Sequence, residues 1–368
     1  MLCRSISFFR HIRCRGTFIL TSPPLTPSSS ASPLEHGGRL HTIAQQYNRP
    51  VADWLDVSTG IAPESYPLPD LPSSAWHRLP EIIPSFLKAA SDYYGCDSLL
   101  PVAGSQSVIQ HLPAIVSRAG RKPSRVWLPH PGYKEHEKAW ADAGVPVYRY
   151  RHLPHLTALK SGDIVVVINP NNPTGILEER ATLAPLQEQL HALNGLLIVD
   201  EAFMDCTPEH SMLQSQHGEN LLVLRSAGKF FGLAGIRAGF LFASRQWRER
   251  CSAVLGPWQI NGPALHVLES AFNDVSWQST QRSQLNESAL WLGNLLTTHF
   301  GVKCTGTPLF CTMPHPRAPD LFAAFCAEGV YPRLTDEKDA LRFGMVTVSQ
   351  RARLAQVVAG VSGIIERP

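Results

Sequence analysis

The stretch SAGKFFGLAGIRAGF, residues 226–240, is the most informative part of the chain. The run LLVL that precedes it (221–224) is apolar enough for a buried strand, so Lys229 stands where a strand ends and a loop of small residues begins. Arg237 follows eight residues later. A lysine in this position is either a solvated loop charge or an amine held in a site, and the rest of the sequence decides between the two.

Short apolar runs and longer amphipathic segments alternate on both sides of this stretch. The alternation predicts strand–helix–strand units and an α/β fold with a mostly parallel sheet that is covered by helices on both faces. One such helix is predicted over 178–192. The predicted strands are RVWLP (125–129), VPVYRY (145–150), DIVVVIN (163–169), LLIVD (196–200), LLVLRS (221–226) and AGFLFA (238–243).

The pattern of predicted elements and the composition divide the chain into three parts. Residues 81–264 carry the strand–helix alternation and are predicted to form the large domain. Residues 34–80, rich in proline, and 265–368, with a long helical stretch followed by strands near LFCTM and LRFGM, are predicted to form a smaller, discontinuous α+β domain. Residues 1–33 are basic, free of acids and rich in Ser and Pro, which is typical of a transit peptide, an extension from an early start codon, or a disordered tail.

Charge and cysteine content exclude several function classes. The net charge of +3 comes from the four arginines of residues 1–33, so the remaining 335 residues are close to neutral and carry no basic surface typical of nucleic-acid binding. No apolar run is long enough to span a membrane. The eight cysteines are scattered without C-x-x-C spacing, which predicts reduced thiols, a cytoplasmic protein and no metal site.

Polar side chains follow three of the predicted strands. Asn172 lies in the turn NPNNPTG (169–175), Asp200 ends LLIVD, and Lys229 follows LLVLRS. Because the carboxyl ends of parallel strands meet at one edge of a sheet, we expect these side chains to gather there. A carboxylate at the end of a buried strand needs a cation or a hydrogen-bond donor as partner. Taken alone, NPNNPTG is equally consistent with a rigid turn.

An aspartate, an asparagine, a lysine and an arginine on one rim suit a particular type of ligand. A planar pyridinium with a phenolic oxygen, an aldehyde and a phosphate uses all four: the carboxylate holds the ring nitrogen protonated, the amide donates to the phenolic oxygen, the lysine forms a Schiff base, and the arginine pairs with the phosphate. The sequence therefore predicts pyridoxal 5′-phosphate as cofactor.

The motifs N-P-x-N-P-T-G, D-E-A-F and S-x-x-K, with an arginine eight residues after the lysine, resemble the class I/II aminotransferases of the aspartate-aminotransferase fold (fold type I), over roughly residues 35–365. The resemblance implies that Lys229 is catalytic and carries the cofactor. Phe203 stands where many relatives have tyrosine, so a second donor to the phenolic oxygen is absent. The other cofactor-binding residues that the resemblance implies are Gly104, Ser105, Gln106, Tyr133, Asn172, Asp200, Ser226 and Arg237.

Two of these assignments also have a simpler interpretation. Gly104, Ser105 and Gln106 match a loop whose amides hold the cofactor phosphate, in line with anion binding at helix N-termini, but the same residues suit an ordinary helix cap. Tyr133 matches an aromatic ring that stacks on the cofactor, but alone it resembles a half-buried aromatic at a helix start.

The N-terminal segments LEHGGRL (34–40) and WLDVSTGIAP (54–63) resemble the opening of threonine-phosphate decarboxylases. Histidinol-phosphate aminotransferases share the core motifs but usually lack the His-Gly-Gly element. His36 with the amides of Gly37 and Gly38 would bind a phosphate on the substrate, although a flexible glycine turn is the alternative. The other substrate-binding residues that the resemblance implies are Gly60, Arg342 for the α-carboxylate, and Arg333, which otherwise is a surface charge.

The resemblance implies a carboxy-lyase that converts L-threonine O-3-phosphate to (R)-1-amino-2-propanol O-2-phosphate for cobalamin biosynthesis. A histidinol-phosphate-type aminotransferase is the alternative. The two reactions differ in which bond of the substrate Cα is held perpendicular to the cofactor ring, and the sequence reads this orientation poorly. The resemblance further implies a homodimer, with a small phosphorylated amino acid as its ligand and neither nucleic acid nor membrane as partner.

Overall fold

The structure is a computed structural model, and it describes residue 34, residues 36–214 and residues 218–365. Residues 1–33, which the sequence assigns to a tail, lie outside the described residues. The strands are β1 Leu55–Asp56, β2 Leu99–Val102, β3 Val126–Pro129, β4 Val147–Tyr150, β5 Ile164–Ile168, β6 Leu196–Asp200, β7 Leu221–Ser226, β8 Gly239–Phe242, β9 Thr305–Thr307, β10 Phe310–Pro314, β11 Val330–Tyr331, β12 Arg333–Leu334 and β13 Ala340–Gly344.

Twelve α-helices lie among the described residues, several of them connected by short 3-10 turns. They are α1 Leu40–Gln46, α2 Ser74–His77, α3 Pro84–Tyr94, α4 Ser105–Arg118, α5 Lys134–Asp142, α6 Arg180–Ala192, α7 Ala227–Phe230, α8 Arg245–Leu255, α9 Gly262–Asn273, α10 Val275–Phe300, α11 Ala318–Ala327 and α12 Arg351–Ile365.

A seven-stranded sheet of order β2-β8-β7-β6-β5-β3-β4 forms the centre of the large lobe. Within this sheet, β8 alone runs in the direction opposite to the other six strands. Successive residues of β5 alternate between two apolar cores, with Val165 and Val167 in one and Ile164 and Val166 in the other. Both faces of the sheet are therefore buried, and this explains why its strands are continuous apolar runs. The predicted α/β class with a mostly parallel sheet is confirmed.

All six strands predicted from the sequence are present as β3 to β8, and the helix predicted over 178–192 is α6. The long helical stretch after Gly262 is divided at Asp274, whose carboxylate caps α10 by accepting from the Trp277 N–H at 2.9 Å. The sequence did not predict β2, a four-residue strand that contains Pro101. Proline is tolerated there because β2 is an edge strand, paired with β8 alone.

The smaller lobe holds an antiparallel sheet of order β12-β13-β10-β9 and a parallel pair, β1 with β11. In that pair Leu55 lies opposite Val330, so the N-terminal segment adds a strand beside the C-terminal part of the chain. This pairing supports a discontinuous smaller domain. The boundaries assigned to it, 34–80 and 265–368, stay a prediction.

A buried ion cluster fastens the loop after β6 to β7. Arg225 of β7, which is 2% exposed, donates to Glu201 at 2.8 Å and to Asp205, and its Nη1 also reaches the Ser211 hydroxyl at 3.3 Å. Burial raises the pKa of both carboxyl groups, and the guanidinium charge opposes that rise. The cluster thereby fixes the loop that directly follows β6.

We predict that Arg225→Met destabilises the protein by about 3–5 kcal/mol at pH 7, because it leaves two buried carboxylates without their cation. The loss should shrink as the pH falls, since carboxyl groups whose pKa is raised in the folded state take up protons before the unfolded chain does. Denaturant unfolding at pH 7 and pH 5 measures both effects, with the exposed Arg245→Met as control. A loss of equal size at the two pH values would show that lost packing, and not buried charge, is responsible.

Candidate active site

A cavity of about 290 Å³ opens at the carboxyl ends of β5, β6 and β7, where residues of the smaller lobe close its other side. It brings together every site residue predicted from the sequence except Gly38. These lining residues are His36, Gly37, Gly60, Gly104, Ser105, Gln106, Tyr133, Asn172, Asp200, Phe203, Ser226, Lys229, Arg237, Arg333 and Arg342.

Asp200, the last residue of β6, is 3% exposed and lies in the wall of the cavity. Its Oδ2 accepts a hydrogen bond from His136 Nε2 at 2.9 Å, and its Oδ1 accepts from the Ala202 N–H at 3.1 Å. The sequence argument required a partner for this carboxylate but did not identify His136. Tyr133 and His136 are three residues apart at a helix start, and that spacing places both on one helix face.

Lys229 lies in α7, the short helix that follows β7, with its amine 5.0 Å from the centre of the Phe203 ring. Burial lowers the pKa of the lysine amine from its ordinary value; Asp200 opposes this shift, and Arg342 and Arg237 reinforce it. A lowered pKa raises the neutral, nucleophilic fraction of the amine. The Phe203 side chain is a buried apolar neighbour of that amine, packed edge-on against Phe310.

The end of the cavity that is lined by Gly104 and Arg237 is suited to an anion. Gly104, at φ +73°, precedes the first turn of α4, whose N–H groups have no partner within the helix. A side chain on Gly104 would bring its Cβ to 3.2 Å from Arg237 Nη2, so the glycine lets the guanidinium approach the loop. Ser226 lines the same cavity. A helix N-terminus beside an arginine is a favourable site for phosphate.

Arg342 and Asn172 meet across the two lobes at the floor of the cavity. Arg342 Nη1 donates to the Asn172 side-chain oxygen at 2.6 Å, and Nη2 donates to the Ser58 carbonyl at 2.7 Å. The first bond directs the Asn172 carbonyl oxygen to the arginine and leaves the amide nitrogen as its donor. Arg342 is 8% exposed and also packs over Phe310 at 5.3 Å.

The His-Gly-Gly element lies at the mouth of the cavity. His36 Nε2 is 2.6 Å from Glu135 Oε1, and Gly37 fits because a Cβ there would come within 2.3 Å of the Ser58 carbonyl oxygen. Gly38 is the predicted site residue that does not line the cavity, and its N–H donates to the Ser58 hydroxyl at 2.7 Å. His36 and Gly37 line the cavity at this end, and their role in binding a phosphate stays a prediction.

Two further ion pairs frame the mouth, and the sequence predicted neither. Arg333 donates to Asp336 at 2.6 Å, and Lys134 donates to Glu337 at 2.8 Å, joining the start of α5 to the turn between β12 and β13. All four residues line the cavity. Arg333 thus lines the cavity, and its role toward a substrate stays a prediction. Lys134 follows directly after Tyr133 in sequence, and this adjacency was the available signal for it.

Among the described ranges, no helix is long and apolar enough to cross a membrane. The same ranges contain no group of three or more His, Cys, Asp or Glu side chains placed to hold a metal ion.

Comparison with known proteins identifies the family. The family described as Aminotransferase class I and II matches residues 70–358. The chain belongs to this family. It is 41% identical over 333 residues to the threonine-phosphate decarboxylase of Pseudomonas aeruginosa, covering 90% of this chain and 98% of that protein. It is 37% identical over 336 residues to the threonine-phosphate decarboxylase of a Sinorhizobium species, covering 89% and 98%.

Solved structures agree on the fold of this aminotransferase-family chain. The histidinol-phosphate aminotransferase of Sinorhizobium meliloti, determined in complex with pyridoxal 5′-phosphate, aligns with a TM-score of 0.72 at 16% identity. The alignment covers 91% of this chain and 96% of that one. The aminotransferase-like fold of type I, predicted from the motifs, is confirmed.

We predict that Lys229 is the attachment point of the cofactor. After borohydride reduction in the presence of pyridoxal 5′-phosphate, peptide mapping should find the label on Lys229, and Lys229→Ala should carry none. The rate of labelling should rise with pH through a midpoint below the value of about 10.4 for free lysine, because only the neutral amine reacts. The control is Lys134→Ala, which removes another lysine of the same cavity and should keep the label. A labelled Lys229→Ala protein would contradict the assignment.

Proposed function

We propose that the protein is a pyridoxal-phosphate-dependent carboxy-lyase that converts L-threonine O-3-phosphate to (R)-1-amino-2-propanol O-2-phosphate, a step of cobalamin biosynthesis. The observation that carries the proposal is that His36 and Arg342 line one cavity with Lys229. That cavity offers an imidazole for a phosphate and a guanidinium for a carboxylate besides the reactive amine. The two decarboxylase relatives, which match about nine-tenths of the chain, support the choice of substrate.

The described residues fit pyridoxal 5′-phosphate. The buried Asp200 carboxylate would face the ring nitrogen, and the Asn172 amide nitrogen would donate to the phenolic oxygen. The start of α4 with Ser226 and Arg237 would hold the phosphate, and Tyr133 would stack on the ring. When bound, this cofactor supplies a ring that accepts electrons from a bond at Cα of the amino acid.

The groups at the two ends of the cavity would orient the substrate. Arg342, fixed by Asn172 and the Ser58 carbonyl, would pair with the α-carboxylate through a guanidinium that suits bidentate binding. His36 and Arg333 would bind the phosphate at the mouth. Holding both ends sets the rotation about the Cα–N bond, and this rotation decides whether carboxylate or proton leaves.

Lys229 is placed to move the proton that completes the reaction. Burial lowers the pKa of its amine from the ordinary value, which makes the amine a better proton donor than an exposed lysine. After carbon dioxide has left, Lys229 Nζ would deliver a proton to Cα of the product. Phe203, as a buried apolar neighbour, limits the access of water to this amine.

A histidinol-phosphate-type aminotransferase is the second candidate, because the same cofactor-binding residues serve both reactions and a protein of that name shares the fold. That reaction uses a 2-oxo acid as the second substrate, whereas a decarboxylase needs none. The His36–Gly37 pocket, which the sequence resemblance links to decarboxylases, favours the first candidate.

We propose that a second copy of the chain covers an apolar surface beside the cofactor-phosphate end, giving a homodimer. We name this surface the apolar patch. The Gln259 side chain reaches the Ala103 N–H at 3.5 Å, and Gly262 packs against the Ala75 carbonyl, so the segments that carry the patch adjoin each other and the loop of Gly104. The patch comprises Leu68, Trp76, Leu79, Ile83 and Trp258, each at least 42% exposed.

We also propose a cytoplasmic location. The cysteines in the described ranges are all free, and burial raises the pKa of the Cys206, Cys251 and Cys326 thiols, which keeps them protonated and unreactive. Such thiols suit a reducing compartment.

The reaction is tested by incubating the purified protein, loaded with cofactor, with L-threonine O-3-phosphate. We expect carbon dioxide and aminopropanol phosphate in equal amounts, at a rate that 2-oxoglutarate does not change. L-Histidinol phosphate with 2-oxoglutarate is the matched assay for the second candidate. Turnover that requires 2-oxoglutarate and yields glutamate would replace the decarboxylase with the aminotransferase.

The dimer is tested with Trp76→Asp, which places a charge in the apolar patch. Burying an unpaired carboxylate costs several kcal/mol, so we expect the variant to sediment as a monomer where the wild type is a dimer. Leu290→Asp alters an equally exposed apolar residue on α10 and should leave the dimer intact. A dimeric Trp76→Asp protein, or a monomeric wild type, would contradict the proposed interface.

A further inference from the structure

Four side chains form a hydrogen-bonded chain behind the mouth of the cavity. His36 Nε2 lies 2.6 Å from Glu135 Oε1, and Gln106 Nε2 donates to Glu135 Oε2 at 2.9 Å. Gln106 Oε1 in turn accepts from the Tyr133 hydroxyl at 3.0 Å. The chain links the end of the cavity assigned to the substrate phosphate with the end assigned to the cofactor.

Glu135 occupies the central place in this chain. His36, Gln106 and Tyr133 line the cavity, whereas Glu135 is not among its lining residues and its side chain is only 13% exposed. The carboxylate uses one oxygen for each neighbour, and a carboxylate accepts at both oxygens without rearrangement. Glu135 therefore acts on the cavity through its neighbours and not by direct contact with a ligand.

We propose that Glu135 is the positioning residue that makes the site selective for a phosphorylated substrate. The inference rests on the proposed function, since it concerns the same cavity. Glu135 holds His36 Nε2, which leaves Nδ1 as the nitrogen that remains for the phosphate. The bond that one ring nitrogen makes sets the role of the other, so the carboxylate fixes the orientation of the His36 ring and the nitrogen that it presents to the phosphate.

The second oxygen gives Glu135 a matching role toward the cofactor. A carboxylate only accepts, so Gln106 must present its amide nitrogen to Glu135 and its carbonyl oxygen to the Tyr133 hydroxyl. Tyr133 is the ring assigned to stack on the cofactor. The interaction of His36 and Tyr133, whose ring centres are 5.9 Å apart, adds a direct contact between the two ends of the chain.

Glu135→Gln separates these two roles. The glutamine oxygen still accepts from Gln106, which preserves the arrangement of Gln106 and Tyr133. Its amide nitrogen cannot accept from His36 Nε2, so the imidazole loses the acceptor that orients it. The variant should weaken phosphate binding while leaving the cofactor in place.

The experiment compares the binding of L-threonine O-3-phosphate and L-threonine to the holoenzyme, followed by the absorbance of the bound cofactor. The wild type should prefer the phosphorylated ligand. Glu135→Gln and His36→Ala should each reduce this preference about tenfold or more, and the double variant should reduce it little further, because Glu135 acts through His36. Cofactor affinity and L-threonine binding should change less than about twofold. Asp142→Asn, an exposed carboxylate of the same helix, is the control.

The outcomes separate the inference from the proposed function. Binding does not require turnover, so an enzyme that prefers threonine phosphate without decarboxylating it would refute the proposed function and still test Glu135. Equal binding of the two ligands by the wild type, losses that multiply in the double variant, or an equal loss for both ligands would overturn the role of Glu135. Should Glu135→Gln fail to fold, Glu135→Asp, which withdraws the carboxylate by one methylene, is expected to show the same selective loss.

Discussion

The carboxylate of Asp200 is the constraint around which the site is organised. An almost fully buried carboxylate is tolerated only when donors and cations surround it, and β6 delivers this one to the sheet edge, where His136 and the Ala202 N–H donate to it. The parallel neighbours of β6 end at the same level, and they bring Asn172 and Lys229 beside it. The negative charge of Asp200 also opposes the lowering of the Lys229 pKa that burial causes.

Residues of the smaller lobe complete the site that lies at the edge of the large sheet. Arg342 comes from β13 and reaches Asn172 of the large lobe, while Ser58 of the segment after β1 receives the second guanidinium bond. Gly60 allows that segment to pass over Phe203 and Phe310, because a Cβ there would come within 2.7 Å of the Phe203 ring. The cavity therefore forms where the two lobes meet. Charged groups of one lobe are paired with, or oriented by, groups of the other lobe.

Three basic side chains at the mouth of the cavity each contact a carboxylate of the protein. His36 is paired with Glu135, Lys134 with Glu337, and Arg333 with Asp336. A substrate phosphate that enters must compete with these carboxylates or share their cations, and such competition disfavours weakly charged ligands. A dianionic phosphate would gain most from Lys134 and Arg333, which is in keeping with the phosphorylated amino acid proposed as substrate.

The sequence alone determined the α/β class, the positions of β3 to β8, and the gathering of Asn172, Asp200 and Lys229. These features depend on local patterns: an apolar run forms a strand wherever both faces are covered, and a polar residue directly after it must lie at the strand end. Lys229 lines the cavity and is therefore not a solvated loop charge. The reversed direction of β8 and the edge strand β2 were decided by pairing, which no single run encodes.

Only the tertiary structure decided which charges are partners. His136 and Asp200 are 64 residues apart and Lys134 and Glu337 are 203 apart, so no spacing in the sequence joins them. The same holds for Glu135, whose place beside Gln106 and His36 depends on three separate segments meeting. The partner of the Gly38 N–H, which is the Ser58 hydroxyl, likewise depends on the fold. The physical reason is that burial pattern follows from each residue's own hydrophobicity, whereas an ion pair depends on the distance between two side chains, and only the packed chain fixes that distance.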